Sequence, residues 1–169
     1  FLRMSNPRIV ADALNTLTRL RATNAGSEVR ELLSTHKDAV VRANAARVLG
    51  AAEDKDSFDL LLSAATGDPD LRVRVAAIRS LASLKDARAA ERLIARGNDM
   101  LIPVHGDPAP LRPGQKVTVL RPIEVSIPKN ELLEIAATVG RLFTNTENGA
   151  AIAFLTKLRS RDDHSSPET

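Results

Sequence analysis

The chain has 169 residues, 43% hydrophobic and 27% charged, enough apolar material to bury one domain's core. It has no Cys, Trp or Tyr and only four Phe, which excludes disulfides, cysteine zinc sites and thiol nucleophiles and disfavours base-stacking platforms for nucleic acid. Net charge is +3, and no apolar run reaches the roughly 18 residues of a membrane span.

Phe1-Leu2-Arg3-Met4 lacks the apolar stretch and cleavage site of a signal peptide. It is expected to be the tail of a helix from a preceding unit in a longer parent chain. From there the apolar pattern repeats. Shifted by 32 residues, Ala13, Ala45 and Ala77 share a column, as do Leu17, Leu49 and Leu81, and Val29, Leu61 and Leu93. Within each unit the apolar residues recur at steps of three, four and seven, which predicts a pair of amphipathic helices. First helices are expected over 6–21, 38–51, 69–84 and 128–143, and second helices over 27–36, 56–66, 87–97 and 148–160. Asn6-Pro7, Asp68-Pro69 and Ser166-Pro167 each place a capping side chain before a proline suited to a first turn. Gly26, Gly50, Gly67 and Gly97 are expected near helix ends.

The fourth unit follows the third only after an insertion of about 29 residues. Residues 98–127 hold five of the nine prolines, and Met100–Val104, Lys116–Leu120 and Ile123–Ile127 read as strand-like. This Pro-rich arm or hairpin is expected either to bind a partner or to pack on its own repeat. The organisation is thus 1–97, the tail of one unit plus three units; 98–127, the arm; 128–163, the fourth unit; and 164–169, the start of a further helix. The fold class is an all-α, right-handed solenoid of about four helical hairpins.

The segments Asp38–Gly50 and Asp70–Leu81, with their Asp, Val-Arg, Ala-Ala and Leu pattern, resemble HEAT repeats, most of all the short bacterial type of phycobilisome-lyase-like proteins. The resemblance implies a ladder of Asp and Arg between neighbouring repeats, which falls on Asp38 with Arg42 and Asp70 with Arg74. The first unit has Asn6 and Val10 at these positions and the fourth Glu131 and Ile135, so the ladder is expected in the middle two units alone. It also implies that second helices line the concave surface.

Catalytic patterns are missing. His36, His105 and His164 have no ligand spacing, and there is no phosphate loop, serine elbow or His-Glu-x-x-His helix. No cofactor, metal or catalytic residue is expected. The strongest charge feature is Arg88, Arg92 and Arg96, which step by four along one helix face. With Asp59 and Ser63 on the preceding unit they form the candidate contact set for a protein or peptide partner of acidic character. The bland alternative is a solvated helix surface with arginine stems over apolar neighbours. The second unit is acidic on balance, which breaks any continuous basic track for nucleic acid. A non-catalytic scaffold or adaptor is therefore expected. The alternatives are a substrate-positioning region of a larger enzyme such as a cyclophilin-type prolyl isomerase, and nucleic-acid binding by the basic third unit.

Overall fold

A computed structural model describes residues 1–101 and 129–163. First helices are α1 (Pro7–Leu20), α3 (Ala39–Ala51), α5 (Leu71–Leu84) and α7 (Lys129–Leu142). Second helices are α2 (Gly26–Thr35), α4 (Phe58–Gly67), α6 (Ala89–Leu101) and α8 (Gly149–Asp163). The expected arm beyond Leu101 and the helix start at Ser166-Pro167 lie outside the described residues. Met100 and Leu101, expected in a strand-like segment, belong to the last turn of α6. Phe1–Met4 forms a turn closed by the Met4 N–H on the Phe1 carbonyl, not a helix end.

Helix starts follow side-chain chemistry. Asn6, Asp38 and Asp70 each accept from the N–H two residues on, at 3.0, 2.7 and 2.8 Å, and so satisfy an otherwise orphaned donor of the first turn. The third of these corrects the expectation at Asp68-Pro69: the helix begins two residues later, because Asp70 is the cap. Helix ends depart further from the glycine rule. Arg21 (φ 49°) and Lys85 (φ 55°) take the left-handed position, while Gly26 begins α2 and Gly97 lies inside α6.

First helices stack in the order α1, α3, α5, α7, and second helices form a looser parallel row. α2, α4 and α6 each also lie against the first helix that follows in the chain, giving the closely packed hairpins α2–α3, α4–α5 and α6–α7. Small residues let the first helices approach: Ala45, Ala46, Ala76 and Ala77 are almost completely buried between them. Leu49, Leu61, Ile78, Leu81 and Leu93 fill the spaces between rows, each contributing about 1.5–3 kcal/mol by leaving water.

The buried polar side chains stitch the same layer. Asn44 donates to the Ala11 carbonyl (3.2 Å), Ser80 to that of Ala46 (2.7 Å), and Thr138 to that of Ile78 (3.4 Å). Each reaches back to the preceding first helix, so the stack is a joined array of repeats whose core runs from one unit into the next.

Candidate functional surface

The inter-repeat turns carry a second set of connections. Arg42 on α3 donates through one amino group to the carbonyls of His36 and Lys37 in the α2–α3 turn, at 2.9 and 3.0 Å. Its other donors grip Asp68 in the α4–α5 turn at 2.8 and 2.9 Å. Arg74 on α5 repeats the arrangement one unit on. It donates to the carbonyls of Asp68 and Pro69 and to the carboxylate of Glu131 on α7, at 2.8–3.0 Å. Arg96 on α6 also donates to Glu131 and ties it to the Thr66 carbonyl at the end of α4.

This is the expected ladder with different acids. Asp38 and Asp70, four residues before their arginines, are spent on capping α3 and α5, and the carboxylates that Arg42 and Arg74 grip, Asp68 and Glu131, come from further along the chain. The ladder therefore reaches the fourth unit, because Glu131 takes the place of the acid thought to be missing there. Asp68 was legible only as a cap before a proline. Glu131 stands in the column of Asp38 and Asp70, and that was the available signal for it.

The electrostatics follow from burial. Glu131 has no exposed side-chain surface, which pushes its carboxyl up. The hydrogen bonds and charges of Arg74 and Arg96 outweigh that and leave it below its ordinary 4.5. Burial likewise pushes the Asp68 carboxyl up, and the Arg42 guanidinium outweighs it, so that Asp68 settles below 3.8. Asp70, bonded by the Arg72 guanidinium, is held down to about 2. Lowered native values mean that the stability these carboxylates contribute is complete above about pH 4.5 and is lost as the pH falls through the native values. The urea midpoint is expected to hold steady from neutrality to about pH 5 and to fall below it. Glu131→Gln, with no proton to take up, should show the shallower acid decline; a parallel decline would remove Glu131 from the titrating set.

The candidate contact residues do not form one free stripe. Arg96 is consumed by the ladder. Arg88 donates to both oxygens of Asp86 (2.6–3.0 Å), and its guanidinium lies 4.3 Å from the centre of the Phe58 ring. Arg92, Asp59 and Ser63 remain on the exposed surface. Much of the third unit's basic charge is paired, Arg72 and Arg88 with Asp70 and Asp86 of the same unit and Arg74 and Arg96 with Glu131 of the fourth.

Among the described residues no group of three or more His, Asp or Glu is placed to hold a metal, and no helix is long and apolar enough to cross a membrane. A shallow cleft of about 340 Å³ lies between the start of α2 and the end of α3. The Arg30–Asp54 pair, at 2.6 Å, lines it.

Helix pairs repeated in register, each buried against the next and clipped at its turns, define an α-solenoid. The model of the family described as HEAT repeats matches residues 26–100, from the start of α2 into the last turn of α6, and this stretch of the chain is built of HEAT repeats. The match is to HEAT repeats as a class and does not single out the short bacterial type. HEAT repeats generally mediate protein–protein interaction and are typically non-catalytic. No curated protein matches the chain.

Proposed function

We propose that the chain is a non-catalytic scaffold or adaptor that holds a protein or peptide partner along its exposed helical surface. The ladder supports this reading most directly. Arg42, Arg74 and Arg96 fix the angle between successive repeats, so side chains on the outer helix faces are presented at set separations before any partner arrives. Preorganisation of that kind lowers the ordering cost of association.

Photo-reactive residues placed singly at Asn15, Ser63 and Arg92, all exposed, test it in the whole chain. A discrete protein adduct is expected from at least one of them, and none from the buried Ala65. Failure to trap any protein from all three positions would sink the scaffold reading.

A further inference from the structure

The first helices carry exposed arginines one after another along the stack: Arg8 and Arg19 on α1, with Asp12 between them, Arg47 on α3, Arg79 on α5 and Arg141 on α7. The exposed charges of the second helices are mixed in sign: Glu31 on α2, Asp59 on α4, Glu91, Arg92 and Asp99 on α6, and Lys157 and Arg159 on α8. Arg47 and Arg79 occupy the same column, 32 residues apart, on adjacent stacked helices.

The arginines of the first layer are also held in place. Glu134, whose side chain is 11% exposed, receives Arg79 at 2.7 Å on one oxygen and Arg141 at 3.0 Å on the other. Two cations on one carboxylate leave a positive excess, and both arginine side chains are more than half exposed, Arg141 also donating to the Ala137 carbonyl. Arg47 is braced by the neutral Asn44 amide oxygen at 2.7 Å and keeps its whole charge. A guanidinium fixed in this way has less rotamer freedom to lose when it takes a carboxylate. Exposed apolar side chains, Val40 at 40% and Leu133 at 62%, stand on α3 and α7 as well.

We infer that this first-helix face docks an extended peptide segment of a partner in which acidic and apolar residues alternate at short intervals, running across α3, α5 and α7. The inference rests on the scaffold reading above and gives it a face and a chemistry. Packed helices lie about 8–10 Å apart, and an extended chain rises about 3.3 Å per residue. One arginine per helix therefore meets a carboxylate at about every third position. Val40 and Leu133 offer contacts to the intervening apolar residues that a sugar–phosphate backbone would not use. The arginines are also too few for the roughly 6–10 phosphate contacts of a salt-sensitive nucleic-acid footprint.

The test titrates the whole chain into a fluorescent peptide with Glu at every third position and Leu between, followed by anisotropy. Parallel arms use a peptide of the same composition with the glutamates contiguous, and a single-stranded oligonucleotide. Saturable binding is expected for the spaced peptide, about tenfold weaker in the double variant Arg47→Gln/Arg79→Gln, a change worth about 1.4 kcal/mol. It should be largely retained in Arg47→Lys/Arg79→Lys; both sites lie on exposed surface, and the urea midpoint of each double variant checks that it remains folded under the binding conditions. No saturable binding, equal binding by the double variant, equal binding of the contiguous peptide, or tighter binding of the oligonucleotide would each overturn the inference. Partner trapping at Ser63 or Arg92 that the double variant leaves intact would overturn this face while preserving the scaffold reading.

Discussion

Glu131→Gln is expected to lower the unfolding free energy by about 3 kcal/mol, because removing one member of a buried ion pair strands the charges that remain. Glu131 is completely buried, while Arg74 and Arg96 keep 14% and 27% of their side-chain surface, so solvent reaches them partly and the effect falls at the lower end of the usual range. The glutamine preserves shape and can still accept at its one carbonyl oxygen, but it puts an NH2 donor where the other oxygen stood and cannot balance two guanidinium groups. Urea unfolding should show a lower midpoint with an unchanged slope. A double-mutant cycle with Arg96→Met should give a coupling well above the few tenths of a kcal/mol seen between independent sites. A midpoint equal to that of the parent would mean that the Glu131 ion pairs add nothing to the hold of α5 and α6 on α7.

The second large effect is expected at Gly50. A Cβ added there would lie 2.5 Å from the Ser80 hydroxyl and 2.7 Å from its Cα. The hydroxyl could rotate, but the backbone cannot yield without separating α3 from α5, and Ser80 would lose its bond to the Ala46 carbonyl. Gly50→Val should therefore destabilise by about 3 kcal/mol, the upper end for overpacking a tight interface. Gly67→Ala is the internal control. Nothing lies within 4 Å of its added Cβ, so the change should be neutral or stabilise by up to about 1 kcal/mol through a stiffer unfolded chain. Equal effects at the two glycines would contradict the close approach of α3 and α5.

Periodicity made the helices legible. Columns such as Ala13, Ala45, Ala77 and Leu17, Leu49, Leu81 follow from local spacing, and local spacing is what places an apolar face. The hydrogen-bond partners were not legible in the same way. Arg42 to Asp68 and Arg74 to Glu131 join residues 26 and 57 positions apart, and their pairing depends on how one repeat is rotated on the next. Asp38 and Asp70 sit four residues before their arginines and looked like the obvious partners. Capping took precedence, because an unsatisfied first-turn N–H competes for the same oxygen. The candidate stripe failed for a related reason. A step of four put Arg88, Arg92 and Arg96 on one face of α6, but the neighbours of that face, Glu131 from α7 and Phe58 from α4, come from other units. The first-helix arginines went unnoticed because they are distributed one per repeat, with no local cluster to mark them.

The rungs of the ladder all point the same way along the chain, from an arginine to an acid further along. Val10 stands where Arg42 and Arg74 stand, so α1 sends no rung forward and is joined to α3 by apolar contact and the Asn44–Ala11 bond. Acid or high salt, which weakens ion pairs, therefore loosens the joints made by Arg42 and Arg74 and spares the contact of α1 with α3.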